Sequence, residues 1–170
     1  MIENNLETYF KVATWSSPIV VIFLLILSAF FSGSETALTA SSRPKLRSMS
    51  DRGSVGAKKA LDITNDNESL IGTILLGNNI VNILATSLAT AYFVELFGDK
   101  GIFLATFCMT VLILVFSELL PKTYAINNPE TAARRVAPLV LFFIYIFSPI
   151  IIFVRKFVQL LLSLIGLKID

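Results

Sequence analysis

Polar side chains interrupt three long apolar runs of this sequence. In chain order they are Ser32-Gly33-Ser34-Glu35-Thr36, then Gly77-Asn78-Asn79 with Asn82, then Ser117-Glu118 with Pro121. An ionisable side chain inside a membrane is costly and by default indicates a functional site. Hydroxyl, amide, carboxylate and backbone oxygens suit a hard cation such as Mg²⁺, Ca²⁺ or Na⁺. The sequence has no histidine and one cysteine, so zinc, copper and iron are poor candidates.

The composition excludes several classes of protein. Of the 170 residues, 55% are hydrophobic and only 15% are charged, and the mean hydropathy is +0.76. These values rule out disorder, a coiled coil and an ordinary water-soluble enzyme. The net charge of +2 gives no reason to expect nucleic acid as a partner. Without histidine there is no Ser–His or Cys–His pair, and every aspartate lies outside the apolar runs, so we do not expect an enzyme.

Three runs are long enough to cross a bilayer, which takes about 20 apolar residues. They cover residues 18–40, 70–97 and 102–120. Lysine and arginine are sparse before the first run and between the second and third, but frequent in the 41–69 loop and after residue 120. The positive-inside rule therefore predicts that residues 1–17 lie on the extracytoplasmic side of the cell membrane and that the 41–69 loop lies in the cytoplasm. The acidic flank before the first run argues against a signal peptide.

A fourth apolar stretch, within residues 129–167, leaves two interpretations open. Hydropathy alone favours a fourth span. However, Pro138 and Pro149 interrupt the stretch, and Arg155 and Lys156 would lie deep in lipid if it crossed. We expect a belt-like helix on the cytoplasmic face of the membrane lipid. The predicted fold is an all-α integral membrane protein with three transmembrane helices plus cytoplasmic juxtamembrane helices, including this belt.

Local signals predict how the helices begin. The 41–69 loop is predicted to form two short helices, capped by Ser42 and Ser54, and Asn67 is a plausible cap for the second span. Within that span Asn78 and Asn82 share one face. This face either borders a cavity or makes ordinary interhelical hydrogen bonds.

Two residues could disturb the helices beside these groups. Pro121 should free the carbonyl of Ser117, next to Glu118, or else simply end the third helix at the interface. Gly33 could loosen the first helix in a similar way. Irregular backbone at membrane depth is tolerated where it is buried or lines a cavity, so both positions are candidates for lining a cation site.

The three motifs, in this order and with these loop lengths, resemble the transmembrane domain of the CorC/cyclin M (CNNM) family. The resemblance implies Mg²⁺ transport, with export coupled to Na⁺, by a homodimer with three spans and a belt helix per subunit. Carried over by motif, the implied Mg²⁺ ligands are Ser32, the Gly33 backbone, Asn78, Asn82 and Glu118. Five further residues could line the site without binding the ion directly: Ser34, Glu35, Asn79, Ser117 and Pro121.

Two further expectations concern partners. Family members usually carry a cytoplasmic CBS-domain pair that binds ATP, which this chain lacks, so we expect a transmembrane part of a longer protein. The small residues Ala85, Thr86, Ala89 and Thr90 could let the second helix approach another subunit, or could pack within one subunit. A membrane anchor that senses Mg²⁺ without moving it would need the same ligands and remains an alternative function.

Overall fold

The computed structural model describes the backbone of residues 2–164 and the side chains of residues 18–164. Helices account for nearly all of this part, and no strand occurs within it. In chain order they are α1 (Ile2–Ala40), α2 (Arg43–Asp51), α3 (Val55–Asn65), α4 (Asn67–Phe97), α5 (Lys100–Leu112), a π-helix (Ile113–Leu119), α6 (Leu120–Asn127) and α7 (Pro129–Leu164). The prediction of an all-α integral membrane protein is confirmed.

Within residues 2–164, four helical segments are long and apolar enough to span a membrane. They are Pro18–Ala40, Asn67–Phe97, Lys100–Asn127 and Pro129–Leu164. The third helical segment continues to Asn127, seven residues beyond the predicted end of the third span at residue 120. The predicted belt corresponds to α7, and its last predicted residues, 165–167, lie outside the described part. By length and composition, α7 could also cross the membrane. The predicted number of three transmembrane helices therefore depends on whether α7 crosses the bilayer or lies along its surface.

The contacts of α7 favour the belt. Near its start, Glu130 forms an ion pair with Lys45 of α2 at 3.1 Å. Further along, Arg155 forms ion pairs with Glu68 at 2.9 Å and with Asp66 at 3.5 Å, where α4 begins. A straight helix from residue 130 to 155 is about 37 Å long, more than the ~30 Å hydrocarbon core. Both ends of this stretch contact residues of the 41–69 segment. If α7 crossed the bilayer perpendicularly, only one of its ends could lie on the side of the membrane that holds this segment.

We therefore expect Lys58→Cys and Lys156→Cys to be labelled from the same side of the membrane. Both side chains are exposed, and the contacts of α3, α4 and α7 place them at one face. The measurement is reaction with an impermeant thiol reagent added to one side of sealed vesicles, with Cys108 replaced by serine. Labelling from opposite sides would mean that α7 crosses the bilayer.

Helix starts follow the predictions only in part. Ser54 caps α3 as predicted, since its hydroxyl accepts a hydrogen bond from the Ala57 N–H at 3.3 Å. Ser42 occupies the N-cap position of α2, but its side chain makes no capping bond to a described residue. Asn67 is not the cap of α4: Asp66 takes that role and accepts from the Ser69 N–H at 3.0 Å. A carboxylate interacts favourably with the positive end of the helix dipole.

The same contacts affect the ionisation of Asp66. The hydroxyl and the N–H of Ser69 donate to its carboxylate, and Arg155 lies beside it. Together they hold the pKa of Asp66 below its ordinary value, against a smaller opposing effect of burial. Asp66 is therefore charged at neutral pH and available to hold α7 through Arg155.

Helix α1 packs between α4 and α7. A Cβ atom added at Gly77 would lie 2.5 Å from the tip of the Phe31 ring, so the missing side chain allows α1 to approach α4 closely. Phe31 also packs edge-to-face against Phe143 of α7, with ring centroids 4.9 Å apart. On the same α1–α4 side, Ala85 and Ala89 are buried within this chain. These two small residues therefore pack within one subunit, the second of the alternatives that the sequence left open.

Candidate functional site

The carboxylate of Glu118 lies between three helices. Its Oε2 accepts a hydrogen bond from the Ser32 hydroxyl of α1 at 2.7 Å, and its Oε1 accepts one from the Asn78 side-chain amide of α4 at 2.9 Å. Glu118 itself belongs to the π-helix. The three motifs that lie far apart in the sequence thus meet at one acidic group.

Amide and hydroxyl groups extend this network along α4. The Asn78 Oδ1 atom accepts from the Ser28 hydroxyl at 2.8 Å and from the Asn82 side-chain amide at 3.4 Å. The Asn82 Oδ1 atom is buried and receives no hydrogen bond from the described residues. A buried acceptor without a donor costs about 1–3 kcal/mol. A cation at this oxygen would remove that cost, because hard cations take amide oxygens as ligands.

The π-helix places Glu118 in this network. It runs from Ile113 to Leu119, and the Leu120 N–H bonds to the Val115 carbonyl, five residues back. Pro121 follows in the first turn of α6, so the interpretation that it ends the helix is wrong. In a regular α-helix, the ring of Pro121 would clash with the carbonyl group of Ser117, four residues earlier. The wider π-helical turn before it bonds residues five apart and so changes the position of that carbonyl group. π-helical turns occur frequently at functional sites.

Gly33 contributes through its size. A Cβ at Gly33 would lie 3.1 Å from the Cβ of Pro121, so α1 and α6 approach closely at this point. α1 remains a continuous helix through Gly33, and the predicted loosening there is wrong. The glycine lets Ser32, its neighbour, reach Glu118.

Not every predicted residue joins the network. Ser32, Asn78, Asn82 and Glu118 are directly linked by hydrogen bonds. Ser117 is buried, but its hydroxyl donates to the Leu25 carbonyl at 3.1 Å.

Three of the predicted lining residues lie apart. Asn79 is exposed and lines a cavity of about 380 Å³ between α4 and α7. Ser34 is buried, and its hydroxyl has no hydrogen-bond partner among the described residues. Glu35 is half-buried, and none of the described hydrogen bonds or ion pairs joins its carboxylate to Glu118 or its partners.

The sequence reasoning missed Ser28 and Lys122. The ammonium group of Lys122 lies 3.1 Å from the Glu118 Oε2 atom. Both residues stand four positions from a predicted member, Ser28 before Ser32 and Lys122 after Glu118. That spacing puts them on the same helix face, which is the signal that could have revealed them.

The charge at this site is small. Among the described residues, no group of three or more His, Cys, Asp or Glu side chains could hold a metal ion. A cation here would be held by one carboxylate and by neutral oxygens, and the ammonium of Lys122 would compete with it. These are the ligands of a hard cation and not of a transition metal.

Residues 19–170 match the family model described as the cyclin M transmembrane N-terminal domain. The chain belongs to this family. It is 39% identical over 152 residues to a UPF0053 protein of Haemophilus influenzae, an alignment that covers 89% of this chain and 36% of that protein. The cyclin M resemblance of the three motifs is therefore confirmed, and the chain is a multi-pass membrane protein.

Two relatives carry functional names. The metal transporter cnnm-4 of Caenorhabditis elegans is 34% identical over 137 residues, covering 77% of this chain and 29% of that protein. The polyamine export protein of Escherichia coli K12 is 26% identical over 151 residues, covering 81% of this chain and 34% of that protein. The chain spans between about a quarter and a third of the length of the relatives it matches.

Proposed function

We propose that this chain is the membrane core of a Mg²⁺ transporter that exports Mg²⁺ in exchange for Na⁺. Mg²⁺ is the substrate, and Na⁺ is the coupling ion. The observation that carries the proposal is the Glu118 carboxylate, held at membrane depth by Ser32 and Asn78. A charge inside an apolar helix bundle is costly, and the hydrogen-bond donors of Glu118 are side chains whose oxygens can also bind a cation.

Binding would reuse the atoms of the network. The proposed ligands are Glu118, the hydroxyl oxygen of Ser32, the side-chain oxygens of Asn78 and Asn82, and the backbone oxygen of Gly33. Mg²⁺ prefers six oxygen ligands in octahedral geometry. The Asn82 side-chain oxygen, which receives no hydrogen bond from the described residues, supports a ligand role, because none of those residues has to be displaced from it.

Two other functions compete with this one. A Mg²⁺ sensor would bind the ion without moving it, through the same ligands. Polyamine export, as the name of one relative suggests, is less well supported, since a polyamine carries several ammonium groups and the residues described here bring one carboxylate to the network. We favour a transporter, and not an enzyme, because the family includes a protein named as a metal transporter.

The deciding experiment is flux in proteoliposomes. We expect Mg²⁺ to move across the membrane in the presence of an opposing Na⁺ gradient, and titration calorimetry to detect Mg²⁺ binding. Binding without flux would favour the sensor. Flux of a polyamine, with no Mg²⁺ binding, would favour the third function.

The assembly is also proposed. We infer a homodimer in the plasma or inner membrane, with the N-terminus outside, α2 and α3 in the cytoplasm, and lipid around α7. Cytoplasmic CBS domains would belong to the whole protein and not to these residues. Native mass spectrometry that detects only a monomer would contradict the dimer.

Replacing Lys122 with methionine should tighten Mg²⁺ binding. The Lys122 ammonium contacts Glu118, and its loss removes a competing charge from the carboxylate. A partly exposed ion pair is worth about 0.2–1 kcal/mol, so we expect affinity to rise about 1.4- to fivefold by calorimetry. Lys100→Met, at the far end of α5, serves as the control. Weaker binding in Lys122→Met would instead make the ammonium part of the site.

A further inference from the structure

Polar side chains recur every fourth residue along α4. Asn78 and Asn82 of the network are followed by Thr86 and Thr90. Residues four apart lie on nearly the same helix face. The polar face of α4 therefore continues past the network, toward the turn at Gly98 that joins α4 to α5.

The facing helix carries a matching series. Thr106 and Thr110 lie on α5, ahead of Glu118 in the π-helix. Asn78 and Glu118 are hydrogen-bonded at 2.9 Å, and both helices run from there to the same turn. Thr90 and Thr106 each lie twelve residues from that pair, or about 18 Å along a helix, so the two series end at a similar depth.

A cleft joins three of these four threonines to the carboxylate. It has a volume of about 350 Å³, and Thr86, Thr106, Thr110 and Glu118 all line it. Its other lining side chains are Met109, Ile113 and Leu114. The cleft therefore brings three hydroxyl groups and the acidic group of the network together along a mostly apolar surface.

Two of the three lining hydroxyl groups are oriented as acceptors. Thr106 donates to the Ile102 carbonyl at 2.8 Å, and Thr110 donates to the Thr106 carbonyl at 2.7 Å. Each hydroxyl proton is thereby used within the helix, and the oxygen lone pairs remain free. Such oxygens can bind a cation or its water, but they no longer have a proton to donate to an anion.

We propose that this cleft is the part of the transport route that connects Glu118 with the membrane face at the α4–α5 turn. Its ligand is a partly hydrated metal cation, which the threonine oxygens and their water bind weakly. This inference rests on the proposed transport function. Thr106 and Thr110 are exposed in a single chain, so the proposed second subunit has to cover this side against lipid.

Cysteine labelling tests whether water reaches the cleft. The protein carries Cys108→Ser, with Thr110→Cys in one sample and its neighbour Val111→Cys in the other. Val111 is 44% exposed but points about 100° away around the helix. A cationic, impermeant methanethiosulfonate reagent added at the α4–α5 side should label Thr110→Cys at least about tenfold faster, because thiols react as thiolates, which need water. Equal rates at the two positions would overturn the route, whether or not the protein transports Mg²⁺.

Flux provides the second readout. Thr110→Val keeps the shape of the side chain but removes the hydroxyl, and we expect it to reduce Mg²⁺ flux about five- to tenfold. The Mg²⁺ affinity should stay within about twofold, because Thr110 is outside the hydrogen-bonded network. Thr39→Val is the matched control, since the Thr39 hydroxyl donates in the same way to the Glu35 carbonyl but lies far from the cleft.

The outcomes separate the two proposals. Normal flux in Thr110→Val would overturn the route while leaving the transport function in place. Absence of flux in the wild-type protein would overturn the transport function, and the labelling result would still decide whether the cleft admits water.

Discussion

Replacing Glu118 with glutamine should abolish measurable Mg²⁺ binding while the protein still folds and inserts. Glutamine keeps the shape and one oxygen, and it can still accept from the Asn78 amide and donate to the Ser32 hydroxyl. What it removes is the charge, which a dehydrated divalent ion needs in a low-dielectric site, because neutral dipoles compensate poorly for lost water. We expect at least a ~100-fold loss of affinity by titration calorimetry.

Controls separate this charge effect from general damage. Glu95→Gln removes an exposed carboxylate from the last turns of α4 and should leave binding unchanged. Asn78→Ala and Asn82→Ala each remove a neutral ligand and should weaken binding less than Glu118→Gln does. Wild-type affinity in Glu118→Gln would exclude Glu118 from the site and leave Glu35 as the remaining acid from the motifs.

Replacing Gly77 with alanine should damage both stability and binding. The added Cβ would meet the Phe31 ring at 2.5 Å, and this ring is held edge-to-face by Phe143. Overpacking in a filled interior typically costs about 1–3 kcal/mol. To relieve the clash, α1 would have to move away from α4, which separates Ser32 from Asn78. We expect a lower melting temperature and about a tenfold or greater loss of Mg²⁺ affinity.

Gly72→Ala is the matched control on the same helix. Its Cβ would lie 3.2 Å from the Cγ2 methyl group of Ile151, which has to give way by only a few tenths of an ångström, so both readouts should change much less than in Gly77→Ala. Phe31→Leu in the Gly77→Ala background should restore part of the affinity by making room. An unchanged melting temperature and affinity in Gly77→Ala would show that the α1–α4 contact does not set the geometry of the network.

The sequence predicts the apolar helices and several of the polar residues that meet at Glu118, because polar residues in apolar helices are few and must find partners. Ser32, Asn78, Asn82 and Glu118 were identified in this way. The sequence could not show that Asn79 faces a different cavity, since the side of a helix on which a residue lies depends on which neighbours pack there. Ala85 and Ala89 illustrate the same point, because small residues favour close packing without specifying the partner.

The backbone around Glu118 was harder to predict. Pro121 correctly indicated an irregularity, but the sequence pattern cannot distinguish a helix end from a π-helical turn. The difference depends on whether the following residues continue the helix, and they do so as far as Asn127. The predicted cap of α4 was Asn67, and the observed cap is the preceding residue, Asp66. The sequence could not decide between them, because both residue types can cap a helix.

The π-helix also has a consequence for deletions. A π-helical turn contains one residue more than the α-helical turn it replaces. Deleting a single residue between Ile113 and Glu118, such as Leu114, would let the chain return to a regular α-helix. Because the deletion removes the extra residue, the helix on either side would keep nearly its present orientation, and Thr106 and Thr110 would still face the same cleft as the carboxylate. We therefore expect a relative that is one residue shorter in this segment to keep the same cleft, with a regular α-helix in place of the π-helical turn.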